Sequence, residues 1–233
     1  MSTPAQDHNR STVAVLVSGG LDSAVLVASE AQSHVVQPIY VSSGLSWEPI
    51  EQRFLGRSLG EYNAPHAILP LVLLQLPLAD VYPVTHWAVS GRPLAHDASD
   101  ADLYLAGRNI TLLAKAGIYC AFAGIGRISM GQLRGNPFPD ATPEFFATMA
   151  RVLSLGLERT FDIAVPFISR TKADVIRLGA SLRVPFELTM SCLDPRKAMH
   201  CGACNKCRER REAFAVSRVA DPTVYDSLPA PHI

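Results

Sequence analysis

The chain has 233 residues, 48% of them hydrophobic and 18% charged, which is typical of a globular protein with a sizeable buried core. Lysine plus arginine and aspartate plus glutamate number 21 each, and this zero net charge argues against a surface built to bind nucleic acid. No apolar run reaches the length of a membrane span, and the polar start from Met1 to Arg10 does not resemble a signal peptide. We therefore expect a cytoplasmic protein with reduced cysteines and with neither membrane nor nucleic acid as a partner.

The first predicted element is a strand from Val13 to Val17, whose continuous apolar run is typical of burial on both faces of a sheet. A helix is predicted from Ala24 to about Ala31, with Asp22 or Ser23 as its cap. Between them lies what we call the glycine loop, formed by Ser18, Gly19, Gly20, Leu21, Asp22 and Ser23. Backbone N–H groups of such a loop at a helix N-terminus can cradle phosphate or pyrophosphate. The Walker A ending is absent, so the alternatives are another kind of phosphate loop or a plain tight turn.

The next elements continue an alternation of strands and helices. Strands are predicted from Val35 to about Ser42 and from Ile68 to Leu74, with a helix from Pro49 to about Tyr62 between them. This order predicts an α/β fold with a doubly wound parallel sheet, in which ligands bind at the carboxyl ends of the strands. The glycine loop and the residues from Tyr40 to Ser43 would both lie at that edge. From Pro77 to Ala106 the periodicity is lost, and we predict a long loop.

Two later helices begin with side chains that could bind an anion. Arg108 and Asn109 precede a helix predicted from Ile110 to Phe122, with Asn109 as a capping amide. Arg108 would there either grip a phosphate bidentately or lie on the surface. Thr171 is predicted to cap a helix that runs to about Leu182, which puts Lys172 in the first turn. The helix dipole disfavours a cation at that position unless an anion is bound, so Lys172 is either a phosphate ligand or an ordinary solvated lysine.

Three further elements are predicted between and after these helices: a strand from Arg127 to Met130, a helix from Pro143 to Leu155, and a strand from Asp162 to Val165. Cys120 falls among apolar helix residues and is predicted to be a core residue. The tail from Asp221 is predicted to be irregular. A basic run near the end is interpreted as a solvated helix face diluted by Glu209 and Glu212; its members are Arg208, Arg210, Arg211 and Arg218.

Four of the five cysteines have the spacing Cys-x8-Cys-x2-Cys-x2-Cys, and they are Cys192, Cys201, Cys204 and Cys207. In a reducing compartment such a cluster indicates a metal site before it indicates disulfides. Four thiolates can surround one Zn²⁺ in a closed shell, which favours a structural role, and Gly202 allows the sharp turn between ligands. Iron–sulfur ligation also fits the number of cysteines, and His200 is a possible substitute ligand.

In order and spacing, the motifs resemble the 7-cyano-7-deazaguanine synthase family of the queuosine pathway, a branch of the PP-loop ATP pyrophosphatase superfamily. The matching segments are 18–23, 107–109, 139–146, 171–176, 187–192 and 201–207. The resemblance implies an adenine nucleotide alpha-hydrolase-like, Rossmann-like fold. It also implies an ATP-binding α/β domain over residues 1–185 and a small zinc-binding C-terminal segment over residues 186–233, packed on it.

The activity that this resemblance implies is that of an ATP-dependent carbon–nitrogen ligase. The carboxylate of 7-carboxy-7-deazaguanine is adenylated, ammonia displaces AMP to give an amide, and a second activation gives the nitrile. ATP, Mg²⁺ and Zn²⁺ are the implied cofactors, while ammonia and a small deazapurine carboxylate are the implied partners. We expect a homodimer as the assembly.

The resemblance also implies roles for individual residues. Lys172 and Arg108 would neutralise charge that builds on the phosphates, and Asp22 could be a direct or water-mediated Mg²⁺ ligand. Asp140, with Asn109, would contact the guanine-like substrate, and the four cysteines would bind zinc. The residues expected to bind ATP are Ser18, Gly19, Gly20, Leu21, Asp22, Ser23 and Tyr40.

One segment departs from the family pattern. After the second strand the queuosine enzymes typically carry Tyr-Gly-Gln-Arg-His and a glutamate shortly after, whereas this chain has Tyr40-Val41-Ser42-Ser43-Gly44-Leu45-Ser46-Trp47-Glu48, with Glu51 further on. This segment would lie beside the substrate pocket. Two alternatives therefore stay open: a paralogue that adenylates a related deazapurine acid for another amine acceptor, and a non-catalytic nucleotide-binding regulatory protein.

Overall fold

A computed structural model describes residues 10–62, 67–92, 94 and 98–227, and these form a five-stranded sheet in the order β3-β2-β1-β4-β5. Every neighbouring pair of strands is parallel. The strands are β1 (Thr12–Leu16), β2 (Val35–Ser42), β3 (Val72–Gln75), β4 (Arg127–Ser129) and β5 (Asp162–Ala164). Strands β2 and β3 lie on one side of β1, and β4 and β5 lie on its other side. The order therefore switches between β1 and β4, and in open α/β sheets ligands bind at such a switch point.

Helices cover both faces of the sheet, so the predicted doubly wound α/β fold is confirmed. They are α1 (Leu21–Glu30), α2 (Glu48–Gly60), α3 (Trp87–Ser90), α4 (Arg108–Ala123), α5 (Pro143–Gly156), α6 (Lys172–Ser181) and α7 (Asn205–Ser217). Helices α1, α6 and α7 contribute to the hydrophobic cluster on one face, and α4 and α5 contribute to the cluster on the other. None of the helices in the described part of the chain has the length and apolar character needed to cross a lipid bilayer.

The central strand shows why a continuous apolar run was needed at β1. Val13 and Val15 belong to the cluster on the α1 side, whereas Ala14 and Leu16 belong to the cluster on the α4 side. Alternate residues of a strand point to opposite faces, so a strand covered on both sides has no polar face. The predicted core position of Cys120 is also confirmed, because its side chain is fully buried on α4.

The predicted cap of the first helix is wrong. Helix α1 begins at Leu21, and its N-cap is Gly20, which offers no side chain. Asp22 and Ser23 therefore lie inside the first turn, and the Ser23 hydroxyl donates instead to the Gly20 carbonyl oxygen at 3.0 Å. By contrast, the predicted cap at Thr171 is confirmed, because its hydroxyl accepts from the backbone N–H of Asp174 in a capping box with the Asp174 carboxylate.

The segment from Pro77 to Ala106 is more structured than the long loop that we predicted. It contains α3 and a short 3₁₀ helix, Asp100–Leu103. Ala88 and Leu105 pack with Leu45, which follows β2, in a small hydrophobic cluster that Trp47 and Trp87 flank. The sequence pattern does not reveal these turns because they are shorter than the repeats that periodicity detects.

One member of the basic run, Arg210 on α7, does not lie on the solvated face that we predicted. Arg210 has 2% of its surface exposed, and its guanidinium donates hydrogen bonds to Thr189, Ser191, Thr223 and the Phe186 carbonyl. These contacts join α7 to the segment before the cysteines and to the tail. The tail itself pairs with the cysteine segment: the His200 N–H donates to the Val224 carbonyl, and the Asp226 N–H donates to the His200 carbonyl. The division into domains at residue 185 stays a proposal.

Candidate active site

The glycine loop connects the carboxyl end of β1 to α1 and is held by its own hydroxyl groups. The Gly20 backbone N–H donates to Ser18 Oγ at 3.3 Å, and the Ser18 backbone N–H donates to Ser23 Oγ at 3.2 Å. The Gly19 carbonyl accepts from the Met190 N–H at 2.9 Å, which fixes the loop to the segment before the cysteines. These hydrogen bonds hold the loop in place, with the N-terminus of α1 directly behind it.

Gly19 is required at its position for two physical reasons. Its φ angle is +72°, a left-handed conformation that residues with a Cβ atom rarely adopt. A Cβ atom there would also lie 2.7 Å from the backbone oxygen of Glu51 on α2, which is closer than such atoms approach. Helix α2 thus packs directly on the glycine loop.

Three cavities open around this loop, and Asp22 lines all of them. The small cavity, of about 210 Å³, is lined by residues that include Ser18, Glu51 and Cys192. The sheet-edge cavity, of about 270 Å³, lies at the ends of β1, β2 and β4 beside Tyr40. The large cavity, of about 510 Å³, extends toward the 77–106 segment and α7. The site is therefore able to hold more than one small molecule around one carboxylate.

Four charged side chains meet at the junction of the small and large cavities, and we call them the charged corner: Asp22, Lys172, Lys206 and Glu209. Lys172 Nζ lies 3.4 Å from Asp22 Oδ2 and 2.5 Å from Glu209 Oε1. Lys206 Nζ lies 2.7 Å from Glu209 Oε2. The interpretation of Lys172 as a solvated lysine is wrong, because only 19% of its side chain is exposed. Its anions in this structure are two carboxylates.

The pKa values in the charged corner follow from these contacts. Burial acts to lower the pKa of Lys172, but the charges of Asp22 and Glu209 outweigh it and raise that pKa above its ordinary value. Burial acts to raise the pKa of Glu209, and the charges of Lys172 and Lys206 overcome it and lower the pKa to about 2. Lys172 and Glu209 are therefore both ionised at neutral pH. Asp22 keeps a second buried oxygen, Oδ1, without a partner among the described residues.

The segment that departs from the family pattern is built around Glu48. This buried carboxylate accepts hydrogen bonds from Ser42 Oγ at 2.6 Å, the Ser43 N–H at 2.8 Å and the Gly44 N–H at 3.1 Å. The turn that results places Trp47 against Trp87 of α3, with ring centroids 5.1 Å apart and nearly parallel. Both tryptophans line the large cavity, so the departure supplies an aromatic wall.

Arg108 faces this aromatic wall from the start of α4. Its guanidinium carbon lies 5.9 Å from the centre of the Trp47 ring, and the side chain lines both the large and the sheet-edge cavities. Its Nη1 is buried and has no hydrogen-bond partner in the described part of the chain. A buried donor left unpaired costs free energy unless a ligand accepts from it, so the geometry favours an anion here over a surface role.

Tyr40 and Glu51 join two of the cavities. The Tyr40 hydroxyl donates to Glu51 Oε2 at 2.7 Å; Tyr40 lines the sheet-edge cavity and Glu51 lines the small one. Burial, followed by the nearby charge of Glu51, raises the pKa of Tyr40, so its hydroxyl stays protonated. Tyr40 as an ATP ligand stays a prediction.

Asp140 and Asn109 bind each other. The Asn109 backbone N–H donates to Asp140 Oδ2 at 3.0 Å, and the Asn109 side-chain amide donates to the Asp140 carbonyl at 2.8 Å. The predicted capping role of Asn109 is wrong, because Gly107 occupies the N-cap and the Asp140 carboxylate takes up a free N–H of the first turn. Asn109 lines the sheet-edge cavity. Contact of these two residues with a substrate stays a prediction.

The four predicted cysteines come together into one buried cluster. Their sulfur atoms lie within 4.8 Å of one another, and the Cys192–Cys204 and Cys201–Cys207 pairs are each 3.9 Å apart. A tetrahedron of thiolates about 2.3 Å from Zn²⁺ has edges of about 3.8 Å, so the cluster has the size of a zinc site. The possible substitute ligand, His200, instead accepts a hydrogen bond from the Ser191 N–H at 3.2 Å.

Backbone geometry around the cluster is also that of a metal-binding turn. The sulfur of Cys201 accepts from the Cys204 N–H at 3.3 Å, and the sulfur of Cys192 accepts from the Cys201 N–H at 3.2 Å. Such donors stabilise thiolates that bind a metal. Gly202 has a φ angle of +78°, and a Cβ atom there would lie 1.5 Å from the Ser227 carbonyl oxygen, so no other residue fits.

Several residues of the site were not predicted as site residues. Glu209 was missed because its partner Lys172 is distant in sequence, and Lys206 was missed with it because its ion pair in the site is to Glu209. Trp87 lies in a segment without periodicity. Glu51 could have been predicted from the sequence. It lies in the first turn of a helix that follows a strand, and such a position is near the ligand-binding edge of a parallel sheet.

Comparison with known proteins places these features in a family context. The profile described as queuosine biosynthesis protein QueC matches residues 12–218. A 7-cyano-7-deazaguanine synthase of Anaeromyxobacter sp. (strain Fw109-5) is 31% identical over 223 residues, which cover 91% of this chain and 94% of that relative. Enzymes with the same name from Anaeromyxobacter dehalogenans and Thermoplasma volcanium are 32% and 29% identical, covering 94% and 91% of their own lengths and 91% and 92% of this chain. The matched range includes both the glycine loop and the four cysteines.

Proposed function

The chain belongs to the queuosine biosynthesis protein QueC family and is an enzyme, and from this premise we propose that it converts 7-carboxy-7-deazaguanine and ammonia to 7-cyano-7-deazaguanine with ATP. ATP is split to AMP and pyrophosphate as the carboxylate is activated. The observation that carries the proposal is that three cavities meet at Asp22, directly beside the glycine loop, and that Lys172, which is paired with Asp22, lines two of them.

The sheet-edge cavity suits the adenosine part of ATP. Leu16, Val41 and Met130 line it from three neighbouring strands or the residues that follow them, and they offer apolar surface to a flat base. The pyrophosphate part would then lie on the N–H groups of the glycine loop and the N-terminus of α1, where a helix favours anions. Lys172 lines the small cavity and Arg108 lines the sheet-edge cavity, so both lie beside the loop and would neutralise charge on the departing pyrophosphate.

Asp22 fits the Mg²⁺ that accompanies ATP. Its Oδ1 is a buried oxygen without a described partner, and carboxylate oxygens are the ligands that Mg²⁺ prefers. When bound, the ion supplies positive charge to phosphate oxygens. The four-cysteine cluster fits Zn²⁺ by its size and its backbone donors, and its closed shell supports a structural role.

The large cavity suits the deazapurine acid. Its aromatic wall of Trp47 and Trp87 can stack on a flat heterocycle, and Arg108 can donate hydrogen bonds to the anionic carboxylate. Lys206 and Arg134 line the same cavity and add positive charge. An acid held in this cavity could direct its carboxylate toward Lys172, which also lines the small cavity.

The deciding experiment is a mass-spectrometric product assay with ATP, 7-carboxy-7-deazaguanine and ammonium chloride. We expect AMP and pyrophosphate that depend on the acid, an amide intermediate, and the nitrile as final product. The matched control ligand is 7-deazaguanine, which lacks the carboxyl group and should therefore release no pyrophosphate, because it has no carboxylate to adenylate.

The same assay separates the remaining alternatives. Acid-dependent AMP formation without amide or nitrile, at saturating ammonium, would favour a different amine acceptor. Absence of pyrophosphate release with every deazapurine acid supplied would contradict the proposal and favour a non-catalytic nucleotide-binding protein.

A further inference from the structure

The small cavity contains a carboxylate that activation of the acid does not need. Glu51 lines this cavity together with Ser18, Gly20, Asp22 and Lys172, so it shares the space beside the glycine loop with the residues proposed to act on ATP. Its own backbone lies against Gly19, whose Cα would carry a Cβ atom 2.7 Å from the Glu51 oxygen. The position of Glu51 relative to the glycine loop is therefore fixed by direct packing.

The side chain of Glu51 is also held in place. Tyr40 is buried on β2, and its hydroxyl donates to Glu51 Oε2 at 2.7 Å. A carboxylate held by one hydrogen bond at one oxygen keeps lone pairs that can accept a proton. Neither Tyr40 nor Glu51 forms an ion pair with a cation among the described residues, unlike Asp22 and Glu209 in the charged corner.

The charges that face Glu51 favour proton uptake near neutral pH. Burial raises its pKa to about 7, Glu48 on the same helix acts in the same direction, and the Tyr40 hydrogen bond and Arg108 on α4 act to lower it. Asp22 and Lys172 lie across the small cavity. A general base works best when its pKa lies near the operating pH, because it is then both available and able to hold a proton.

The proposed reaction requires such a group. Ammonia in neutral water is mostly ammonium, and the attacking nitrogen must lose a proton as it bonds to carbon. Lys172 and Arg108 cannot accept that proton because both are cations. Glu209 is too weak a base, because its two lysine partners lower its pKa to about 2.

We propose that Glu51 is the catalytic proton acceptor for the amine that attacks the adenylated acid, and that the small cavity is where this amine binds. The inference rests on the proposed function. In the step, the nitrogen lone pair forms the C–N bond, the C–O bond to AMP breaks, and AMP leaves with that electron pair. The proton lost by the nitrogen passes to the Glu51 carboxylate, which releases it to solvent before the next cycle.

The experiment compares Glu51→Gln with the wild-type enzyme in two half-reactions. Acid-dependent exchange of labelled pyrophosphate into ATP measures adenylation alone, and product formation with ammonia or hydroxylamine measures the attack. Hydroxylamine is a much weaker base, so it is largely unprotonated at neutral pH and has less need of a proton acceptor. The matched control is Glu61→Gln at the far end of the same helix, which should behave as the wild type.

We expect Glu51→Gln to keep pyrophosphate exchange within about twofold while product formation with ammonia falls by roughly 10²–10⁴-fold. The hydroxamate formed with hydroxylamine should fall by less than about tenfold. Tyr40→Phe removes a hydrogen bond that lowers the Glu51 pKa, so the rising limb of kcat against pH for the ammonia reaction should move to higher pH.

Equal losses with ammonia and hydroxylamine, or an unchanged rate with ammonia, would overturn the role of Glu51 as proton acceptor. Loss of pyrophosphate exchange in a folded Glu51→Gln variant with full zinc content would also overturn it, because the residue would then act in adenylation. Absence of acid-dependent exchange in the wild type would instead overturn the proposed function, so the two failures are distinguishable.

Discussion

The glycine loop and the charged corner line the same cavities, yet they are assembled in opposite ways. Hydrogen bonds inside the loop join residues at most five positions apart, such as Ser18 and Ser23. The corner joins Asp22 to Lys172 and Lys172 to Glu209, so it forms only when α1, α6 and α7 have packed together. A local loop survives distant changes, whereas a corner built from three helices depends on every element that positions them.

The largest effect is expected from breaking the scaffold of the charged corner. Cys204→Ser removes one thiolate immediately before α7, the helix that carries Lys206 and Glu209. Because structural zinc binding is coupled to folding, we expect an insoluble or locally unfolded protein with no bound zinc and no detectable activity.

Metal analysis checks this prediction, and the wild type should contain one zinc per chain. The control is Cys120→Ala, which removes a core thiol far from the cluster in sequence and should keep its zinc. Iron in place of zinc, or intact folding of the wild type without any metal, would contradict the assignment.

The next effect comes from removing the central cation of the corner. Lys172→Met should lower kcat by roughly 10²–10³-fold, because the departing pyrophosphate loses a preorganised positive charge. Lys115→Met on α4 is the matched control and should stay within about twofold of the wild type. The kcat of both variants is measured as steady-state pyrophosphate release at saturating ATP. A decrease of less than tenfold in Lys172→Met would contradict this role, because other groups would then neutralise the phosphate charge.

The glycine loop can be broken locally. In Gly19→Ala the new methyl group meets the Glu51 carbonyl and the residue keeps a left-handed φ, which together should cost about 1–3 kcal/mol of unfolding free energy. Pyrophosphate binding should weaken while the zinc content stays at one per chain. Gly60→Ala, where a methyl group meets open space at the end of α2, is the control. Calorimetry measures pyrophosphate binding and metal analysis measures zinc on the same samples. Together they show whether the glycine loop can be disrupted while the cysteine cluster that supports the charged corner stays intact.

The smallest expected effect is on the pH dependence of stability, and it tests the ion pairs of Glu209 in the charged corner. The pKa of Glu209 in the folded chain, about 2, is below its ordinary value near 4.5, so its ionised form stabilises the fold above that ordinary value. This stabilisation is lost as pH falls from about 4.5 toward 2. Glu209→Gln should therefore be less stable by about 1 kcal/mol at neutral pH, and the difference from the wild type should shrink in acid. A pH-independent difference in urea unfolding would contradict the charge argument; Glu144→Gln, exposed on α5, is the control.

The features that could be predicted from sequence are those with local causes. The β1 strand, the glycine loop, the Thr171 capping box and the cysteine cluster each depend on residues within about sixteen positions. Hydrophobic periodicity and motif spacing report such relations directly. The parallel sheet followed because strands and helices alternate, and alternation admits few topologies.

The features that were missed depend on packing between distant segments. A basic residue in a charged helix segment is normally predicted to be exposed to solvent. Arg210 is buried instead, because its guanidinium donates to Thr189, Thr223 and the Phe186 carbonyl. Lys172 was predicted to be either a phosphate ligand or a solvated lysine, and no local pattern indicates that Glu209 lies beside it. Trp47 and Trp87 stack across 40 residues for the same reason.

The closure of the tail over Gly202 orders events during synthesis of the chain. Ser227 contacts the backbone of the cysteine turn, and its hydroxyl donates to the Cys201 carbonyl at 2.8 Å. A ribosome delivers β1, the glycine loop and Lys172 well before it delivers Glu209 and Ser227. The nascent chain can complete its five-stranded sheet while the part of the large cavity wall that α7 supplies is still missing. We therefore expect a complete site only after Ser227 has reached the cysteine turn.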